Sequence, residues 1–499
     1  LHPSAGESKG SDPGGDAGDL VSVELEMPVV SVDDGRPAHP EVFLKLWEVL
    51  AESGWKPKDF GVVRPRPAAG PCLASQQLVT TDTGPLLEVA PAPARSIAAL
   101  SAQLGPLLAE AWDPLFDLGF EPLGCGVHPT LRPLPADYFR YRTRRPSYDY
   151  AIRERGWRHW TIVDKAAAQE IVDVPFADAP RAVRILNRLS GLMNFLLRND
   201  PDLSGEYGGR LSVRPLAWKG HVPGSGAFAG DAARVGIPAR EIAGWRDYAA
   251  LLWEAGPMFL IGSKSEGLIY IQDHPTLVQF LRATPAGGWK ARTVAGVETR
   301  VVPGPEHVVE SDWTYLGSSR IRWKWREGGP DLGELLRAWD GNEVEAYLSG
   351  QLEKVVIENR CNSAQPPGDE IASLGLVAGL LSNLDEAEEL ALREPYPFWV
   401  EMLEASTTLP LDSAVRGRSV PALLRGMLDV ARRGLARRGE EDPEAALSAL
   451  EARLEERCSP AEKVLREYRR TGPAGVMTMT RLRPGPPPPR HVPLYFWKR

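Results

Sequence analysis

Glu24 and Glu26 stand two positions apart in VSVELEMPVV, residues 21–30, a run that is otherwise mostly apolar and rich in β-branched side chains. Such composition favours a buried strand, and along a strand residues i and i+2 share a face. Two carboxylates are therefore held side by side. Burying them costs free energy unless a cation, an arginine or solvent meets them. Oxygen donors of this kind suit a hard divalent ion, so one reading is a magnesium site. The plainer alternative is an edge strand with one wet face. Further polar groups interrupt apolar runs in the same way: Asp82 and Glu88 in TDTGPLLEVAPAP, Gln169 in AAAQEIVDV, and Glu358 in VVIENRCNSAQPP. If these segments share one sheet, their side chains line a cleft able to hold two or more hard cations. Taken singly, each is an ordinary solvent-facing group.

The elements that must position these groups are legible in outline. Apolar periodicity predicts helices over 40–53, 92–118 (broken or bent at Gly105-Pro106), 180–198, 239–254 and 370–392, and three more between 420 and 470. Strands are expected over 73–89, 120–127, 166–174 and 355–359, a short extended piece over 211–218, and a hairpin over 258–271 turning at 262–267. RIRWKWR at 320–326 alternates basic and apolar residues, so a strand there has one basic and one aromatic face. Strands mix with helices without a βαβ rhythm, which predicts an α+β fold with a mostly antiparallel sheet.

Residues 1–19, rich in Gly, Ser, Asp and Pro, are expected to be a disordered tail. Residues 20–475 are read as one domain with an insertion at about 280–340, and 476–499 as a Pro-rich tail whose 484–490 segment suits polyproline geometry. The chain opens with Leu1 rather than Met, so its true start is expected upstream.

At 499 residues with net charge −8, the chain is long enough for a sizeable core and too acidic for a general nucleic-acid or anionic-membrane binder. Its four cysteines lie far apart without zinc spacing, which suits a cytoplasmic setting. No apolar run approaches the ~20 residues of a membrane span.

In order, these segments resemble the glutamate–cysteine ligases of the plant and proteobacterial type, within the ATP-dependent carboxylate–amine ligases. VELEM at 23–27 is similar to that family's first Glu-x-Glu strand. Gly84 to Pro91 is similar to its Gly-rich stretch ending in Ala-Pro, and Ala168 to Val174 to its Gln-bearing strand. Leu211, Ser212, Arg214 and Trp218 resemble a Leu-Ser-x-Arg-x-x-x-Trp piece, and Val356 to Arg360 a later Glu-x-Arg strand. The C-terminal helices follow in the same order, so the likeness spans roughly 20–475.

The resemblance implies an antiparallel sheet curved into a funnel, as in glutamine-synthetase-like catalytic folds, with helices outside. It implies ATP and Mg²⁺ as cofactors and small-molecule substrates: glutamate activated as γ-glutamyl phosphate, then joined to cysteine. Glu24, Glu26, Asp82, Glu88, Gln169 and Glu358 become candidate metal ligands. Arg214 and Arg360 become candidates for binding the glutamate carboxylate or the phosphates and for catalysis, with Lys354 a further nucleotide-binding candidate. For both arginines the plainer reading is a salt bridge to the same glutamates. A monomer or homodimer is expected.

The chain departs from the family pattern at Pro85, Leu86 and Leu87, at Ile171, at Val356 and at Leu352. These departures keep a different amine acceptor, or a non-catalytic binding homologue, as alternatives. His128, the Gly-rich 224–230 loop and the RIRWKWR strand are read as structural first, with roles as a base, a phosphate loop or a base-stacking platform second.

Overall fold

The computed structural model describes residues 20–65, 76–261 and 268–482. The N-terminal tail, Cys72, the 262–267 turn and the 484–490 segment lie outside the described residues. Nine strands form the main sheet: β1 (Val21–Ser31), β2 (Lys56–Lys58), β3 (Gly61–Pro65), β4 (Gln76–Thr81), β5 (Leu86–Ala90), β6 (Phe120–Pro122), β7 (Ala168–Asp173), β8 (Ser319–Trp325) and β9 (Leu352–Asn359). Their order is β8-β9-β7-β1-β5-β4-β3-β2, with β6 also on β1, and every pairing is antiparallel. The α+β expectation holds.

Alternation explains how β1 comes to sit at the centre. Val21, Val23, Leu25, Met27 and Val29 are each no more than 3% exposed, and burial of such side chains stabilises by about 1.5–3 kcal/mol apiece. They face helices 97–117 and 372–381 on the packed side of the sheet. Helix 179–197, buried along almost its whole length, backs β8 and β9. The even-numbered residues of β1, including both glutamates, are left for the opposite face. On β8 the same rule buries Ile321, Trp323 and Trp325 and puts Arg320, Arg322 and Lys324 on that opposite face. This edge strand falls within the stretch read as an insertion.

Several local expectations are corrected. The helix expected to break at Gly105-Pro106 runs unbroken from Ile97 to Asp117, capped by Ser96, whose hydroxyl accepts from the Ala99 N–H. A proline removes only one intrahelical bond, and the packing of its buried face outweighs that loss. The expected strand at 120–127 shrinks to β6. The piece expected to be extended over 211–218 instead enters a helix, Arg214–His221. The reason is tertiary: Asp200 Oδ2 accepts from the N–H groups of Val213 and Arg214 at 2.8 and 2.6 Å. A carboxylate at a helix N-terminus satisfies its orphan donors, and no local pattern reveals one that arrives from a distance. The helices expected at 370–392 and between 420 and 470 are present, the first divided at Ser382. Among the described residues no helix is long and apolar enough to cross a membrane. Cys125, Cys361 and Cys458 are free thiols.

Candidate functional site

Register brings the polar residues of separate segments onto one face. Glu24 lies opposite Gln169 across the β1–β7 pairing, and Glu26 lies opposite Glu88 across β1–β5. On β9, Glu358 lies opposite Ile171, two residues from Gln169, and Arg320 of β8 lies opposite Glu358. Carboxylate oxygens of Glu24, Glu26 and Glu88 all lie within 4.8 Å of one another, in a group able to hold a metal ion. Gln169 turns its amide nitrogen toward Glu24 and Glu26, donating to the latter at 2.9 Å, and its oxygen accepts from Arg360. The Ala167 N–H donates to the other oxygen of Glu26 at 2.8 Å.

Electrostatics separates these carboxylates into two kinds. Burial, reinforced by the charges of Glu88 and Glu358, holds Glu24 well above the usual carboxylate range. Burial first, then Asp82 and Glu24, push Glu26 up to about 7 against the pull of Arg214. Glu88 is likewise raised to about 7 by burial, Asp82 and Glu26. Like charges confined together disfavour ionisation, so these three want either protons or a cation. Glu358 is the opposite case. Burial works to raise it, but Arg320, Arg360 and Arg322 hold it well below the ordinary range. Arg320 donates to both oxygens of Glu358 at 3.0 and 2.8 Å, Arg322 at 3.1 Å and Arg360 at 2.5 Å.

The remaining predicted residues divide similarly. Asp82 follows β4 and accepts from the Tyr148 hydroxyl at 2.8 Å, with Arg145 3.9 Å away, and its charge reaches all three raised glutamates. Arg214 is buried and donates to the Arg360 carbonyl at 3.3 and 3.1 Å, so the two arginines lie together beside Glu26 and Glu358. Lys354 is not brought to the group. It pairs with Asp173 at 2.6 Å, and four residues of strand put it roughly 13 Å along β9 from Glu358.

Sequence reasoning passed over four participants. Arg320 and Arg322 sit in RIRWKWR, whose basic face reads as solvated until pairing with β9 sets it against Glu358. Arg145 and Tyr148 start a helix, Pro146–Arg155, that packs its first turn against Asp82. Proline and basic residues before that helix carry no signal pointing to Asp82.

His128 has a structural role. It is 1% exposed, its Nδ1 accepts from the N–H groups of Thr130 and Leu131, and its Nε2 lies 3.3 Å from the Val29 carbonyl. Burial pushes it down to about 4, pushes His221 to about 3 and holds His159 well below the usual range. These rings stay neutral in the folded state while the unfolded chain protonates near 6.5. Stability is therefore expected to fall as pH drops from about 6.5 toward 4, by about 3 kcal/mol for His128 alone. Denaturant titration at pH 7, 5.5 and 4.5 checks this: a His128→Gln variant should show a shallower loss, and an unchanged slope would refute the assignment.

The fold and this face together define a class of architecture: an antiparallel sheet gathering carboxylates and arginines from strands distant in sequence, with helices on the other side. No family model matches the chain, and no curated protein sequence matches it. Among solved structures it is similar to the glutamate–cysteine ligase of Francisella tularensis in complex with AMP, with TM-score 0.49, 12% identity, and coverage of 93% of this chain and 88% of that one. It is also similar to a bifunctional glutathione synthetase from Pasteurella multocida, with TM-score 0.46, 11% identity, and coverage of 93% and 51%, so that it spans about half of that protein's length. A third is the complex between the prokaryotic ubiquitin-like protein Pup and its ligase PafA, with TM-score 0.39, 10% identity, and coverage of 94% and 74%. The functional reading stands on the placement of this chain's own residues.

Proposed function

We propose that this chain is an ATP- and Mg²⁺-dependent carboxylate–amine ligase. The observation that carries the proposal is the convergence of Glu24, Glu26 and Glu88 from two strands into one group of raised carboxylates beside paired arginines. The donor set fits a hard cation: it is all carboxylate oxygen, buried at Glu26 and half-buried at Glu24 and Glu88, with no thiolate or imidazole in the group. Glu24, Glu26 and Glu88 would hold it, with Asp82 and Gln169 adjoining. Gln169 would serve as a ligand by turning its amide oxygen to the ion. When bound, magnesium supplies charge neutralisation for the oxygens of a transferring phosphoryl group.

The protein's own groups account for the rest. Arg360 and Arg214 supply a compact positive surface for an oxyanion, either the donor carboxylate or the leaving phosphate. Glu358 fixes Arg320, Arg322 and Arg360 so that the guanidinium edges are ordered before substrate arrives. Glutamate as donor, through γ-glutamyl phosphate, and cysteine as acceptor are the finer reading that the family resemblance implies.

Trapping tests the activation half without knowing the acceptor. With ATP, Mg²⁺ and L-glutamate, hydroxylamine is expected to give γ-glutamyl hydroxamate, and EDTA should abolish it. Absence of ATP-dependent hydroxamate from glutamate and from a panel of other carboxylates would refute the ligase reading.

A further inference from the structure

Beside the arginine pair lies a cavity of about 330 Å³, within the roughly 300–1,000 Å³ of small-molecule sites. Arg214 and Arg360 form one wall; Trp218, Val222, Ile237, Leu316, Val400 and Leu403 line an apolar part, and Lys219, Glu404 and Thr407 are among the polar groups of the rest. The apolar ones lie on or directly after the Arg214–His221 helix, the short strands 235–236 and 316–317, and the helix Tyr396–Ser406, all outside the main sheet. The arginine wall is the side toward the carboxylates: Arg360 reaches Gln169 and Glu358, and Arg214 lies close enough to Glu26 to pull its protonation down. Arg360 also keeps a buried Nε with no hydrogen-bond partner. A molecule filling this cavity has its body largely among apolar side chains and its reacting end toward the guanidinium groups, where the oxyanion of the acyl phosphate would sit.

We infer that the acceptor is a primary amine carrying a bulky apolar group, aromatic or branched aliphatic, seated in this cavity; the inference rests on the ligase reading above. Size argues against cysteine, whose short thiol arm would leave most of the space unfilled and the wall atoms without partners. A bulky hydrophobic group fills the apolar part of the cavity. In the reaction, the amine nitrogen attacks the acyl carbon of γ-glutamyl phosphate. The new C–N bond forms as the bond from that carbon to the phosphate oxygen breaks. Inorganic phosphate leaves with the electron pair, and the amine releases its proton to solvent.

The test couples ATP, Mg²⁺ and L-glutamate with L-phenylalanine, L-leucine, 2-phenylethylamine, glycine and L-cysteine, reading products by mass. A kcat/KM for one of the bulky apolar amines at least about tenfold above that for cysteine is expected. Leu403→Trp or Val400→Trp, which narrow the cavity from half-exposed and exposed positions, should raise the KM for that amine about tenfold or more. A rise in the KM for ATP instead would place the purine there and overturn the inference. Preference for cysteine or glycine, or hydroxamate formation with no amine coupled, would overturn it while leaving the ligase reading intact. If no hydroxamate forms, calorimetric titration of 2-phenylethylamine decides: binding weakened tenfold in both variants supports the cavity's assignment, and no binding to the parent protein ends it.

Discussion

Glu26→Gln is expected to abolish magnesium-dependent turnover while making the metal-free protein more stable. The carboxylate is 5% exposed and sits among like charges, so its folded-state value near 7 is well above the 4.5 of an unfolded chain. A raised acid contributes stability that is whole below about 4.5 and is lost as pH climbs through about 7. At pH 8 the parent bears that penalty in full and the amide bears none. The gain is on the order of 1–3 kcal/mol, because glutamine keeps one oxygen acceptor for Ala167 or Gln169 but not both. Near pH 5 the difference should shrink toward zero.

Magnesium reverses the order. Binding offsets the repulsion among Glu24, Glu26 and Glu88 in the parent, so added Mg²⁺ should raise the parent's denaturation midpoint and leave the variant's nearly unmoved. Turnover should fall by at least about a hundredfold, since even outer partners of a metal site are worth about 10–100-fold. Denaturant melts at pH 5 and 8, with and without Mg²⁺, read all of this. A variant less stable than its parent at pH 8 without metal would show that the three carboxylates are not a strained group.

Glu358→Gln should behave in the opposite sense, although Glu358 shares the same sheet face. Its carboxylate answers three guanidinium groups, with Arg320 and Glu358 side chains 7% and 6% exposed. Removing one partner of a buried ion pair leaves uncompensated charge, at a cost of about 3–5 kcal/mol. Arg322 keeps Asp312 at 2.7 Å, and Arg360 keeps the charges of Glu24 and Glu26, which moderates the loss. A depressed acid contributes stability that is present above about 4.5 and is lost as pH falls through its folded value. The gap between parent and variant should therefore be widest near neutrality and narrow in acid. Magnesium affinity should fall far less than in Glu26→Gln, because the oxygens of Glu358 are already engaged by guanidinium groups. A loss of magnesium affinity as large as that of Glu26→Gln would restore Glu358 as a direct ligand.

The contrast between these two residues is where the chain's sequence stops being sufficient. Alternation along β1 was enough to place Glu24 and Glu26 together and to turn Val21, Val23 and Leu25 away, because a strand has a period of two whatever its neighbours are. The same rule gave β8 one basic and one aromatic face. It also made an antiparallel α+β sheet the natural fold for short apolar strands set among helices. Spacing within a segment is a local property, and local properties survive in the linear chain.

Pairing is not local. Whether Arg320 meets Glu358 or solvent depends on β8 lying beside β9 in one register, and a slip of one residue would send every side chain to the other face. The Arg214 helix exists where extended chain was expected because Asp200 caps it from fourteen residues away. Lys354, on the same strand as Glu358, is removed from the group by distance along β9 and by Asp173. The sequence by itself determined which residues could carry charge on a common face. Tertiary structure alone decided which of them neutralise one another and which are left crowded, since Coulombic and desolvation energies depend on separations and burial that only the folded chain defines.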